Sequence, residues 1–374
     1  MLTRRMTRNS LCHSPGKDII VKRIAIVTIT NSGPNFGNRL QNYALQTVLE
    51  RLGCIPETIF TANIIRRSIM LSRLRWLARK IIKRTRRQYY FDRFNKLYIH
   101  AARRIRYRSL NDNAFAKDGY DAAIVGSDQV WNPEFDFNTD FEYLPFMPPE
   151  KRYAYAASFG VDRLPPTRRE AVAGFLREMR EISVREDTGR TLVKELTGRD
   201  VPVVVDPTLL LESSDFEAIA EKPPQSIPER YVLTYLRGEQ TAAGLALIKE
   251  TAEALGIPII TINERRDTAF YNIGPQHFLY LFRNAEYVFA DSFHATVFSI
   301  IFHRPFTCFH RQGNNRIYSR IDTLLRVTQL ENRLFDTPLT APALSAIDFT
   351  SVDRRIAAER ERAMEFLRDI RKQW

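Results

Sequence analysis

Arg23–Leu52 reads RIAIVTITNSGPNFGNRLQNYALQTVLERL, and its two halves call for different backbones. Arg23–Thr30 is a compact apolar, β-branched run, the composition of a buried strand. From Arg39 to Leu52, Leu40, Tyr43, Ala44, Val48, Leu49 and Leu52 recur on one helical face. Between them lies a Gly/Asn/Pro loop. Asn38 is placed to cap the helix, with Gln41 three residues on as a capping-box partner. Strand, loop, helix is the opening of a doubly wound α/β domain.

The same alternation continues outward. Strands are expected at Ile55–Phe60, Asp121–Gly126, Tyr153–Phe159, Ile182–Arg185 and Val201–Val205, with helices at Pro166–Arg180 and Asp187–Leu196. Residues 213–229 hold Ser213, Ser214, Pro223, Pro224, Ser226 and Pro228, and read as a linker. Strands at Tyr231–Leu236, Ile257–Ile262, Glu286–Ala290 and Phe306–Phe309 then alternate with helices at Ala242–Leu255, Pro275–Arg283 and through Ile300. Thr350–Gln373 reads as a terminal helix. The expected organisation is a basic tail (1–20), an N-terminal Rossmann-like domain (21–212) with a basic helical insert (66–108), the linker, a C-terminal Rossmann-like domain (230–345) and a last helix (346–374). Two α/β domains, doubly wound and facing a cleft, are the simplest architecture.

Charge is unevenly placed. The chain of 374 residues carries a net +13, and residues 66–108 hold 16 Lys/Arg against the single acid Asp92. That segment accounts for the whole excess. Met70, Leu74, Leu77 and Ile81 make a helical stripe inside it, flanked by Arg73, Arg75, Arg79, Lys80, Lys83 and Arg84. Such a helix suits an anionic membrane surface, or a core contact with a solvated rim. Nucleic acid is the weaker reading, because no recognition module accompanies the charge. No apolar run reaches the roughly 18–20 residues of a membrane span. Cys12, Cys54 and Cys308 are too few and scattered for a disulfide framework, which suggests a reducing cytosol. No Cys/His cluster has zinc spacing.

In parallel sheets, ligands gather at the carboxyl ends of strands. Polar groups stand at those ends: Asn38 and Gln41 after the first strand, Ser127, Asp128 and Gln129 after DAAIVG, Ser158 after YAYAA, Arg185 after ISV, and Asp291, Ser292 and His294 after YVFA. Ser292 suits a helix cap, and His294 falls in the first turn behind it. Residues alone leave His294 open as a satisfied core histidine or as a proton carrier. Arg185 and Arg316 read either as forks for a carboxylate or phosphate or as surface ion pairs. Asp206 before Pro207 reads as structural. Trp131 reads as a sugar platform or as packing.

GNRLQNYAL, DAAIVGSDQVWNP, YAASFG, ISVRED, VVDPTLLL and ADSFHATVFSIIFHRPF stand here in the order of the polysaccharide pyruvyl transferase family, and the chain resembles it from about Ile24 to about Leu325. The resemblance implies a GT-B-like pair of lobes with the active site between them. It implies transfer of pyruvate from phosphoenolpyruvate to a sugar of a surface-polysaccharide intermediate, as a ketal, with release of phosphate. No cofactor beyond that donor is expected. The acceptor is a sugar or a lipid-linked oligosaccharide, and the setting is the cytoplasm or the inner membrane face. His294 and Arg185 become the expected catalytic residues, with Asn38, Gln41, Ser127, Asp128, Gln129, Ser158, Ser292 and Arg316 as substrate contacts. Some relatives carry Arg where this chain has Ser292, which leaves the donor open. The alternative within enzymes is a GT-B glycosyltransferase using a nucleotide sugar. The alternative outside them is an adaptor built on the basic insert.

Overall fold

The computed structural model describes residues 21–30, 33–60, 85–102, 119–136, 138–262, 269–310, 318–335 and 346–374. Two parallel sheets organise them. The first has strands β1 (Lys22–Val27), β2 (Cys54–Thr58), β3 (Ala122–Val125), β4 (Arg152–Ala157) and β5 (Glu181–Val184), in the order β2-β1-β3-β4-β5. The second has β6 (Val232–Tyr235), β7 (Ile259–Ile262), β8 (Tyr287–Ala290), β9 (Phe306–Phe309) and β10 (Leu334–Phe335), in the order β10-β9-β8-β6-β7. The central strands β3, β4, β6, β8 and β9 are buried along their whole length. Their apolar runs therefore do not alternate, as expected of parallel sheets covered on both faces.

The helices are α1 (Phe36–Arg51), α2 (Arg86–Tyr98), α3 (Pro166–Arg177), α4 (Asp187–Thr197), α5 (Ser213–Glu217), α6 (Ala242–Leu255), α7 (Pro275–Arg283), α8 (Phe293–Ile301), α9 (Ser319–Thr328) and α10 (Phe349–Lys372). Helix α1 starts a turn earlier than its apolar stripe suggests. Asn35, not Asn38, is its cap, accepting a hydrogen bond from the Asn38 backbone N–H at 3.2 Å. The Asn38 side chain is thereby released from capping.

The expected strand at Val201–Val205 is reduced to a single bridge between Val184 and Val203. Pro202 has no N–H to extend the ladder. The chain then turns into a 3-10 helix at Pro207–Leu210, held by Asp206, whose carboxylate accepts from the Thr208 N–H at 3.0 Å. Part of the proposed linker is helical, as α5. Met70–Arg84, the stripe read as a membrane-surface helix, lies outside the described residues. The later part of the basic segment forms α2, which packs inward: Phe91 and Phe94 are fully buried. Arg87 lies with its guanidinium over Phe36 at 5.2 Å and over Tyr271 at 4.9 Å. Among the described residues no helix is long and apolar enough to cross a membrane.

One hydrophobic cluster joins the two halves. It includes Ile24, Leu40 and Leu49 of the first lobe, Leu233, Phe278 and Val297 of the second, and Leu367 of α10. Phe36 stacks on Phe278 at 4.7 Å between ring centroids. Helix α10 returns from the second lobe to the first, where Trp374 meets Tyr153 edge-on at 6.0 Å. Arg360 donates to the Leu209 and Leu211 carbonyls at 2.9 and 3.2 Å.

His277 sits in this interface. Its Nδ1 accepts from the Gly274 N–H at 3.1 Å, and the Tyr90 ring meets it edge-on at 4.5 Å. Burial pushes its imidazole down to about 4. Below about pH 6.5 the unfolded chain takes up a proton that the folded chain refuses. The stability tied to this group is therefore complete above pH 6.5 and is lost as pH falls toward 4. Urea unfolding of the wild type and His277→Asn at pH 7.5 and 4.5 is expected to show the wild-type advantage shrinking by about 2–3 kcal/mol at the lower pH.

Candidate active site

A cavity of about 200 Å³ lies where the carboxyl ends of β1, β3, β6 and β8 face one another. Both lobes line it. Asn35–Asn38, Asp128, Gln129 and Phe135 come from the first; Tyr235, Arg237, Phe278, Ser292, Phe293, His294 and Arg320 come from the second.

Behind the cavity wall stands a buried ionic network. Asp128 accepts from the Asn38 side-chain amide through Oδ2, and from Arg185 Nη2 at 3.1 Å through Oδ1. Arg185 gives its other terminal nitrogen to Asp206 Oδ2 at 2.7 Å. Its guanidinium lies 4.4 Å from the centre of the Phe293 ring. Asp206 also accepts from Ser127 Oγ at 2.9 Å and from Thr208 Oγ1 at 2.7 Å. Burial would raise both carboxyls. The His294 imidazole and Arg185 outweigh it at Asp206, and Arg185 does so first at Asp128, so both are held below the usual carboxylate range. Arg185 is raised: its burial is outweighed by Asp128 and Asp206.

His294 closes this network at the cavity. It occupies the first turn of α8, with Nε2 buried and 3.7 Å from Asp206 Oδ2. Nε2 thus faces the carboxylate, and Nδ1 is the ring nitrogen on the open side, against Gly37. A Cβ on Gly37 would sit 2.1 Å from that Nδ1. The first turn of α1 therefore uses Gly37 to admit an imidazole. Gly37→Ala is expected to push the ring aside and lower turnover on the order of 10²-fold, while the thermal midpoint stays close to wild type. Turnover and thermal unfolding of the purified variant, measured side by side, check this.

The structure sorts the expected site residues by depth. Asn38, Asp128, Gln129, Ser292 and His294 line the cavity. Gln41, Ser127 and Ser158 are fully buried behind it. Gln41 donates to Thr28 Oγ1 at 2.7 Å and accepts from the Ser127 N–H at 3.0 Å, tying β1 to the β3 loop. Ser158 donates to Glu186 at 2.9 Å. Arg185 has a side chain 1% exposed and both ends on carboxylates, so it is a strut rather than a fork for substrate. Ser292 holds the capping position of α8 without a side-chain cap bond. Arg316 lies outside the described residues. Trp131 is buried, stacked on Tyr143 at 5.5 Å, with its N–H donating to the Glu142 carbonyl at 3.1 Å; it packs rather than forming a platform.

Two cavity cations escaped sequence reasoning. Arg237 follows β6, a strand end that the same carboxyl-end rule covers. The Asp291 carboxylate presents it, accepting from the Arg237 N–H at 2.9 Å and the Gly238 N–H at 2.7 Å. Arg320 lies on α9, whose buried positions Ile321, Leu324, Leu325 and Thr328 follow helical spacing. Among the described residues no group of three or more His, Cys, Asp or Glu stands together as a metal site.

The sequence pattern described as polysaccharide pyruvyl transferase matches residues 35–312, most of the chain. No curated protein matches it. Among solved structures, the protein of Listeria monocytogenes described as a UDP-N-acetylglucosamine 2-epimerase is similar at a TM-score of 0.50 and 10% identity, over 90% of this chain and 91% of that one. UDP-N-acetylglucosamine 2-epimerase of Rickettsia bellii reaches 0.42 at 10% identity, over 92% and 96% of the two chains. The glycosyltransferase SnogD of Streptomyces nogalater reaches 0.35 at 11%, over 92% and 95%. The paired parallel sheets are those of the GT-B fold.

Proposed function

The chain belongs to the polysaccharide pyruvyl transferase family, and from that premise we propose that it moves the pyruvyl group of phosphoenolpyruvate onto two hydroxyls of a sugar, as a ketal. The observation that carries this reading is the joint presence of His294, Arg237 and Arg320 in one small cavity. Phosphoenolpyruvate is a compact trianion at most. Arg237 and Arg320 are assigned to its carboxylate and phosphate, the role that sequence reasoning gave to Arg185 and Arg316. The amino end of α8 adds N–H groups aimed the same way.

The chemistry is two additions and one departure. His294, protonated at Nδ1, gives its proton to the methylene carbon of the donor, which becomes a methyl group. The C2 carbon, now electron-poor, takes the first sugar oxygen, and the hydroxyl proton passes to the imidazole. The C2–O bond to phosphate then breaks, and the phosphate leaves with that bond's electron pair. The second hydroxyl adds to C2, and its proton ends on the phosphate pool. Nε2 faces the Asp206 carboxylate at 3.7 Å, a charge that favours the imidazolium, and Nδ1 is assigned the transfer. Asn38, Asp128 and Gln129 are assigned to the acceptor hydroxyls.

Cavity size favours this donor over a nucleotide sugar. About 200 Å³ is below the roughly 300–1,000 Å³ of usual small-molecule sites. The acceptor is a surface-polysaccharide intermediate, and the basic residues before α2 are assigned to an anionic membrane face. Incubation with phosphoenolpyruvate and an oligosaccharide pool, with inorganic phosphate followed by a coupled assay, tests the reading. Phosphate release that depends on acceptor is the expected result. Release of UDP from a UDP-sugar, with phosphoenolpyruvate inert, would replace it with glycosyl transfer.

A further inference from the structure

A second cavity, of about 270 Å³, opens beside the first, and Phe135 lines both. Asn138 connects them: it lines the second cavity and donates to the backbone carbonyl of Gln129, a residue of the first, at 2.8 Å. On its inner wall lies Tyr143, only 3% exposed. Its ring is fixed between Trp131, at 5.5 Å and 5°, and Phe175, at 5.1 Å and 14°. The Tyr143 hydroxyl makes no hydrogen bond within the described residues, and it borders this cavity. Open to the cavity, it can give and accept hydrogen bonds with whatever enters there. Asp140 and Arg168, which also line the cavity, form a close ion pair.

The Phe135 ring, a rigid phenol and a carboxylate–guanidinium pair around a space of this size suit a pyranose. Its C–H face lies on the aromatic ring, and its hydroxyls meet the phenol and the charged pair. We infer that this cavity is a second saccharide subsite, holding the sugar residue next to the one that reacts. The inference rests on the first cavity being the site of pyruvyl transfer, with Phe135 as the partition between the two sugars.

The test uses full-length protein on a printed array of mono- and oligosaccharides from bacterial surface polysaccharides, with phosphoenolpyruvate affinity measured separately by calorimetry. Oligosaccharides are expected to be retained and monosaccharides not. Tyr143→Phe, which removes a single oxygen, is expected to weaken retention about three- to tenfold. Phosphoenolpyruvate affinity is expected to hold in Tyr143→Phe, and Phe135→Ala, at the partition, is expected to weaken retention further. Retention indifferent to both substitutions, equal retention of monosaccharides, or no retention by the wild type overturns the subsite. Failure of the underlying reading looks different. Oligosaccharides would still be held, and Tyr143→Phe would still weaken them, but no phosphate would leave phosphoenolpyruvate. Phosphate release on oligosaccharides, unchanged in Tyr143→Phe, would keep the reaction and remove the subsite.

Discussion

His294→Asn is expected to cut phosphate release from phosphoenolpyruvate by about 10²–10⁴-fold, the usual loss for a removed acid–base group. Asparagine keeps a polar group of similar reach but carries no transferable proton. Phosphoenolpyruvate affinity is expected to stay within a few-fold, because the cations Arg237 and Arg320 are untouched. Single-turnover kinetics and calorimetric titration of the variant separate the two effects. Normal turnover would dismiss His294 as the proton carrier, and the ring would then be a cavity wall that happens to face Asp206.

Arg185→Met is expected to act on stability first, by about 3–5 kcal/mol, because it strands Asp128 and Asp206 in the interior without their shared cation. Urea unfolding at pH 7 measures it. The sign follows from the network: both carboxyls are held low by Arg185, so removing the arginine leaves two buried negative charges close together. A loss below about 1 kcal/mol, accompanied by lost donor affinity, would return Arg185 to the substrate side of the wall. The two substitutions therefore separate an element of the chemistry from an element of its scaffold, although both residues sit at strand ends of the same cleft.

That separation was the part hidden from the sequence. Strand ends are legible: the apolar runs of β1, β3, β8 and β9 are continuous, and the polar residues after them stand out. Depth is not. Ser127 and Gln129 are two residues apart, yet one is fully buried and the other lines the cavity. Asp128 between them has φ +73°, which turns the loop back toward the wall. Asn35 and Asn38 compete for one capping role, and the apolar stripe of α1 does not say which wins. The helical character of the basic segment was expected, but the inward face of α2 was concealed by its charge, since Phe91 and Phe94 lie within a run dominated by Arg and Lys. Strand β10, two residues long, is too short for any periodicity to reveal.

The hydrophobic cluster that runs from Ile24 to Val297 has a mechanical meaning. Two lobes joined by a thin hinge open and shut as rigid halves, but these are welded along Phe36, Phe278 and the returning helix α10. Rotation of one half against the other would tear apolar surface into water. Reactants must therefore come and go through yielding loops and side chains at the rim. Heat, when it finally wins, should take both halves apart in a single cooperative step.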